Sequence, residues 1–397
     1  MSDLTVIHNA RLLRSKHASE RYKIRIEKEI VCAIEPMAPT GEPVDSADVV
    51  DVAGDWITLG AVDLQINGAL GLAFPNLRIR DFERLEQICD LLWQQGVDAF
   101  CPTLVTTSLD NFHGALTAIQ QFKEQQSHAR TAQVLGAHLE GPFLNINKRG
   151  AHPQQFIQPL SIENVKTVVG DFIDAVVIMT LAPECVENDG VKGAQAENER
   201  AVEWLSAQGV TVSLGHSLAT AEQASRAFEQ GASMVTHAFN AMPSLHHREP
   251  GLLGAALTDS RVACGFIADG QHICPTMLDL LLRTQSDDLN GLFLVSDALS
   301  PLGLPDGTYP WDTREIEVVN GTARLADGTL SGTTLPLIKG AQNLVDWELC
   351  GLEEAIELVT RSPRKAVGLS ALAVGSRANL LRWRKEGTRL SWSRLFD

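Results

Sequence analysis

The sequence predicts an α/β chain: a (β/α)8 TIM-like barrel with a small β-sandwich domain formed by the N- and C-terminal segments. Three observations carry the prediction. Eight short apolar runs alternate with helical stretches between Ala61 and Val295. A Gln-Gly-Val or Gln-Gly-Ala joint recurs where a helical pattern gives way to such a run. Polar residues, several of them His, Asp or Glu, stand just past the runs.

The N-terminal end, residues 1–57, alternates in short segments (KIRIEKEIVCAIE, then VVDVAGDWIT) separated by turn residues, the pattern of half-buried strands. The eight runs follow at 61–66, 98–101, 133–137, 175–181, 210–214, 233–236, 262–267 and 291–295. Their spacing of roughly 20–40 residues is what a strand–helix unit needs. Near-continuous apolar strands alternating with helices imply a parallel sheet covered on its outer face, and eight units fit a closed barrel better than an open sheet. At the joints Gln95-Gly96-Val97, Gln208-Gly209-Val210 and Gln230-Gly231-Ala232, a Gly just past a helix can take the left-handed conformation that closes the last turn. The helix before the first joint, DFERLEQICDLLWQQG, sets Phe82, Leu85, Cys89 and Leu92 on one stripe.

After the eighth run, residues 313–330 read as an inserted hairpin turning near Asn320-Gly321. LEEAIELVTRSPRKAVGL reads as a helix stopped near Pro363, and NLLRWRKEGTRLSWSRLF returns to strands. Two β-rich ends flanking a barrel can pair into one small domain. The expected division is therefore 1–57 and 346–397 for that domain and its closing helix, with the barrel at 58–345.

Composition narrows the function. Apolar residues make up 44% of the 397 residues, enough for a sizeable core. The formal charge of -16 argues against nucleic acid or an anionic membrane as partner, while leaving room for a locally basic pocket. Seven scattered cysteines with no CxxC spacing are the usage of a reducing compartment. MSDLTVIHNARLLRSK has no apolar core of a signal peptide, and no run of about 18 apolar residues exists to span a membrane. A cytoplasmic location is expected.

Barrel enzymes build their sites at the C-terminal ends of the strands. In AVDLQING, Val62, Leu64 and Ile66 alternate with Asp63, Gln65 and Asn67. His138 and Glu140 follow the third run and His216 the fifth. His237 follows the sixth, Asp269 and His272 the seventh, and Asp297 the eighth. A lone His at a strand end is more often a hydrogen-bonded structural residue than a ligand, and a lone Asp before a helix is often its cap. Glu140, His216, His237 and Asp297 at four strand ends read together as a metal or acid–base site. Gln65 and Asn67 are poor metal ligands. His8, His17, His113 and His128 sit in polar or helical contexts and are expected to be solvated. His246 and His247, beside Arg248, are expected to face solvent or substrate.

The segments HLEGPFLNINKRGAH, SLGHS, THAFNAMPSLHHREPGLLGAAL, ADGQH, VSDAL and GTLSGTTLPL resemble the N-acetylglucosamine-6-phosphate deacetylase family of the amidohydrolase superfamily. The likeness covers about residues 58–345. It implies one divalent metal ion per chain, zinc by the ligand set, held by Glu140, His216 and His237. It makes Asp297 the general base and His152 the group that holds the developing oxyanion. Arg248 and His272 match phosphate contacts, the His reaching across the interface of a homodimer. Ala151, Asn240, Ala241, Leu330, Ser331 and Gly332 match further substrate contacts. Family members carry either His-x-His or Gln-x-Asn on the first strand, and the second kind resembles single-metal enzymes. Gln65 and Asn67 are then expected to fill the place of a second metal and to order the first through bonds outside its ligand shell. The implied reaction is hydrolysis of the acetamide of N-acetyl-D-glucosamine 6-phosphate to D-glucosamine 6-phosphate and acetate. The alternatives are the N-acetylgalactosamine 6-phosphate epimer as substrate and a non-catalytic sugar-phosphate binder; the latter would be expected to lack Glu140, Asp297 or a metal His.

Overall fold

The computed structural model describes residues 4–15, 17, 19–37, 48–126, 130–185, 194–284, 291–387 and 389–396. His128 lies outside them.

The barrel strands are Ala61–Ile66, Val97–Val105, Ala137–Glu140, Val176–Leu181, Thr211–Leu214, Ala232–Val235, Ala263–Phe266 and Leu292–Leu294. Each pairs in parallel with the next. The ring closes just past the eighth strand, where Asp297 N donates to Gln65 O (2.9 Å) and Asn67 N to Ala298 O (2.7 Å). Closure thus sets Asp297 directly beside Gln65 and Asn67. Val62, Leu64, Cys101, Ile178, Met234 and Phe293 come from strands around the ring and share one inner cluster. The helices pack outside it. Phe82–Gln94 buries Leu85, Ile88, Cys89, Leu92 and Trp93, with Leu85, Ile88 and Leu92 each contributing about 1.5–3 kcal/mol.

The recurring glycine joints behave as read: Gly96, Gly209 and Gly231 have φ of 83°, 83° and 110°. A Cβ at Gly96 would also lie 2.6 Å from Ile338 Cδ1, so that side chain would have to shift.

The chain ends form two small sheets. One orders Ile30–Pro36, Tyr22–Glu27, Leu4–Ala10 and Asp48–Asp51; the other Arg389–Arg394, Leu380–Glu386 and Trp56–Leu59. Ile7, Ile24, Ile26, Val31, Ile57 and Leu380 share a core between them. Arg394 ties this unit to the barrel's N-terminal rim through Asp98 (2.7 Å) and by stacking 3.4 Å over the Trp93 ring.

Four details differ from the sequence reading. The third run splits into Gln133–Val134 and the barrel strand Ala137–Glu140. Gly136, at φ 142°, turns between them where a Cβ would lie 2.7 Å from Ala175 O. Alternation on the first strand is interrupted, since pairing with the second strand shifts register between Asp63 and Ile66, and all of Ala61–Ile66 is buried. The inserted hairpin is the middle of a four-stranded antiparallel sheet, Gly307–Trp311, Arg314–Val319, Thr322–Leu325 and Leu330–Thr333. Its central turn does lie at Asn320 and Gly321, both left-handed at φ 51° and 77°. The predicted C-terminal helix breaks at Thr360 into Leu352–Val359 and Arg361–Ala366. Pro363 lies in the first turn of the second piece, where its missing N–H costs nothing.

Among the described residues no helix is long and apolar enough to cross a membrane.

Candidate active site

Glu140 ends the third strand, while His216 and His237 lie just beyond the fifth and sixth. The three converge: Glu140 Oε1 lies 3.3 Å from His216 Nε2 and 3.1 Å from His237 Nε2, and the two nitrogens are 3.0 Å apart. All three residues are buried, and among the described residues they form the group that could hold a metal ion. His216 has φ 48°, His237 φ 31° and Asp297 φ 47°. Left-handed backbone is costly for residues with a Cβ and persists where surrounding structure enforces it.

Hydrogen bonding fixes the imidazole tautomers. His216 Nδ1 lies 2.8 Å from Lys148 O. A carbonyl only accepts, so Nδ1 carries the proton and Nε2 presents a lone pair to the cluster. His152 is the reverse. Its Nδ1 accepts from Thr106 N (3.3 Å) and lies 2.9 Å from Thr106 Oγ1, leaving the proton on Nε2. Burial, then the neighbouring His216, pushes the His152 pKa down to about 3, so the ring is a neutral donor. His138 Nδ1 donates to Leu64 O (3.0 Å) and its Nε2 accepts from Thr180 Oγ1 (2.7 Å). It is a satisfied buried histidine beneath the cluster, and burial lowers its pKa to about 4.

The His216 lone pair, His237 Nε2 and a carboxylate oxygen stand 3.0–3.3 Å apart, an arrangement that needs a proton or a cation among them, and His237 Nδ1 is buried without a hydrogen-bond partner. Tetrahedral zinc with bonds of about 2.0–2.2 Å separates its ligand atoms by about 3.3 Å, so donor type and spacing both fit such an ion. Burial resists ionisation of Glu140, but the adjoining His216 and His237 rings hold its carboxyl well below the usual range.

Asp297 Oδ1 accepts from Asn67 Nδ2 (2.7 Å) and Gln65 Nε2 (3.2 Å), and Gln65 Nε2 also reaches Glu140 Oε1 at 3.1 Å. Gln65 therefore bridges the two carboxylates, while Asn67 binds Asp297 alone. Burial, then the charge of Glu140, raises the Asp297 pKa to about 8. Asn67 Oδ1 is buried without a hydrogen-bond partner.

A cavity of about 690 Å³ opens above this cluster. Of the sequence-predicted residues, Asn67, Glu140, Ala151, His152, His216, His237, Asn240, Ala241, His272, Asp297, Leu330 and Ser331 line it. Gly332 lies beside them, at φ 142° with no room for a Cβ against Asp297 O at 2.7 Å. His272 lines the cavity of its own chain, with Nδ1 held by Asp269 Oδ2 at 2.6 Å. Arg248 is not in the wall. It is exposed, its Nη1 2.7 Å from His247 Nε2. His246 is exposed too, as is His17; His8 is half-buried, and His113 donates to Thr167 O at 3.0 Å.

Several contributors escape the sequence reading. Lys148 and Trp311 line the cavity, Trp311 from the inserted sheet. Arg314 Nη2, from the same sheet, donates to Ala151 O (2.7 Å) and steadies the loop that carries His152. Glu184 stands just past the fourth strand, and a survey of the polar residues beyond every apolar run, the fourth included, would have found it.

A closed barrel whose C-terminal rim collects two imidazoles and two carboxylates over an open cavity defines a hydrolase of the amidohydrolase type. No protein-family profile matches the chain. It is 35% identical over 327 residues to N-acetylglucosamine-6-phosphate deacetylase of Bos taurus, covering 80% of this chain and 76% of the relative. It is 32% identical over 382 residues to N-acetylgalactosamine-6-phosphate deacetylase of Escherichia coli O157:H7, covering 95% and 94%. N-acetylglucosamine-6-phosphate deacetylase from Pasteurella multocida superposes with a TM-score of 0.81 at 26% identity, covering 98% of this chain and all of that one. The chain belongs to the N-acetylglucosamine-6-phosphate deacetylase family of the amidohydrolase superfamily.

Proposed function

We propose that the protein hydrolyses the acetamide of N-acetyl-D-glucosamine 6-phosphate, releasing acetate and D-glucosamine 6-phosphate. The observation that carries the reading is the buried Glu140–His216–His237 cluster, joined to Asp297 through Gln65 at the floor of one cavity. Glu140, His216 and His237 would hold one divalent ion, zinc by the preference of that donor set, which when bound supplies Lewis acidity and a lowered water pKa.

The chain's own groups perform the proton work. Asp297 takes a proton from the attacking water as its oxygen bonds to the carbonyl carbon. It returns that proton to the nitrogen as the C–N bond breaks. A carboxyl raised to about 8 has the proton affinity for both halves of this transfer, and positive charge among the three ligands draws it back towards neutrality. His152, a neutral Nε2–H donor, holds the developing oxyanion. Gln65 and Asn67 orient the two carboxylates.

Asn240, Ala241 and His272 offer the phosphate its polar surroundings. Arg248, whose motif resembles the family's phosphate contact, stands exposed outside the cavity wall. The assembly is a homodimer, and His272 lines the cavity of its own chain.

A titration of metal-stripped protein with zinc, following amine release, tests the reading. Activity that levels off at one equivalent per chain supports it. A requirement for two equivalents overturns the single-metal site, and no release at any loading overturns the reaction. Parallel assays with N-acetylgalactosamine 6-phosphate decide the epimer named for the Escherichia coli relative.

A further inference from the structure

We infer that Glu184 is the positioning residue that holds His216 in the geometry of a metal ligand, an inference that rests on the metal reading above. Glu184 is half-buried just beyond Val176–Leu181, the fourth barrel strand, whose end contributes nothing to the Glu–His–His cluster. Its carboxylate is occupied by two other loops. Oε1 accepts from Leu218 N (2.5 Å) and from Asn145 Nδ2 (2.9 Å), and Oε2 accepts from Ser217 Oγ (2.7 Å).

Two of those donors are the residues that immediately follow His216. The third, Asn145, donates its own backbone N–H to His216 O (2.9 Å), and three residues later Lys148 O receives the His216 Nδ1 proton (2.8 Å). One carboxylate therefore gathers both segments that contact His216. The first sets its backbone. The second selects its tautomer and so which nitrogen faces the cluster.

The constraint is needed because His216 sits at φ 48°. That conformation is disfavoured for a residue with a Cβ and relaxes unless its neighbours hold it. An ionised carboxylate suits this position because all three groups it meets are donors, and a bond to a charged acceptor is about twice as strong as a neutral one. A glutamine in its place accepts through one atom only and turns an N–H2 group towards other donors. A residue that never touches the metal thus controls a ligand's lone pair, a role whose loss typically costs about 10- to 100-fold in metal affinity.

The test is zinc affinity, measured by competition with a chromogenic chelator, for wild type, Glu184→Ala, Glu184→Gln and Ser217→Ala, with melting of each zinc-free protein alongside. The expected result is about 10- to 100-fold weaker binding for Glu184→Ala, with the other two variants between it and wild type. Zinc-free melting temperatures should stay close together, and kcat should recover most of its value at saturating zinc. Affinity within twofold of wild type for Glu184→Ala overturns the inference, and all the more if its zinc-free protein melts earlier, since that marks a purely structural role. Should Glu184→Ala not fold, unchanged affinity in both Glu184→Gln and Ser217→Ala overturns it equally. Wild-type protein that takes up no zinc is the separate failure of the metal reading.

Discussion

Asn67 Nδ2 donates to Asp297 Oδ1 across 2.7 Å, the shortest side-chain bond that Asp297 receives. The bond stabilises the ionised carboxylate and pulls its pKa down against the burial and the Glu140 charge that raise it. Asn67→Ala removes that pull, so the Asp297 pKa rises and the base form appears at higher pH. The acid limb of the kcat/KM profile should move upward, and kcat should fall about tenfold or more at neutral pH. A profile that superposes on wild type would remove Asn67 from the machinery.

Asp297→Asn leaves the shape of the site intact while deleting the proton carrier. Turnover should drop by about 10²- to 10⁴-fold, with zinc content and melting temperature near those of wild type. Retention of full activity would remove Asp297 as the base. Loss of bound zinc would instead show that Asp297 belongs to the ligand set.

The strand ends are legible in the sequence because both signals are local. An apolar run marks a strand, and the next polar residue falls on the rim by chain continuity alone. Glu140, His216, His237 and Asp297 are found that way, and the structure brings them to one point. Contacts that depend on where a distant turn lies leave no such mark. Glu184 serves backbone and side-chain donors more than 30 residues away in sequence, so its place past the fourth run is readable but the groups it holds are not. The bridging by Gln65 is equally hidden, since it depends on the barrel closing between the first and eighth strands. Arg248 shows the converse: its motif is readable, but the exposed placement of its side chain is not, because loop conformation answers to packing rather than to residue order. Gly136 and Pro363 mislead for a related reason. A break in a strand and a helix restart are decided by neighbours, here Ala175 O and the Thr360 kink.

Metal removal should act on stability as well as turnover. Without an ion, two imidazole nitrogens stand 3.0 Å apart beside a carboxylate, a crowded contact that a bound ion would relieve. At a free zinc concentration 100 times its dissociation constant, the ion adds about 2.7 kcal/mol. Calorimetry with increasing zinc should show a melting temperature that climbs with concentration, in step with recovered activity. Concentration-independent melting would mean that the cluster binds no ion in the native state.

The buried His138 gives the metal-free protein a specific acid sensitivity. Its folded-state pKa is depressed to about 4 from an ordinary 6.5, burial being the main cause. Between those values the unfolded chain binds more protons than the native one. The contribution is therefore fully present above pH 6.5 and is lost as pH falls through 4. Its size is about 3 kcal/mol, at about 1.4 kcal/mol for each pKa unit. Asp297, raised to about 8, works in the opposite sense, favouring the native state as pH falls from 8 towards 4, so total stability hides the effect. The difference between wild type and His138→Gln isolates it. Urea unfolding of the zinc-free proteins should show the wild-type advantage shrinking by about 3 kcal/mol from pH 7 to pH 4. A constant difference would mean that the buried ring accepts its proton without cost.

Arg248→Ala separates phosphate recognition from the chemistry. The side chain is exposed and outside the cavity wall, so its removal leaves the Glu–His–His cluster and Asp297 undisturbed. A guanidinium that engages the phosphate, remote from the acetamide, contributes binding shared by ground and transition states, so KM should rise while kcat changes little. A charge-assisted contact of about 1.5–3 kcal/mol corresponds to roughly 10- to 150-fold in affinity. Plain N-acetylglucosamine lacks the phosphate and should be hydrolysed by the variant as by wild type, so the preference between the two substrates collapses by the same factor. If that preference survives, Arg248 is a solvent-facing partner of His247, and the phosphate is held by His272, Asn240 and Ala241 without it.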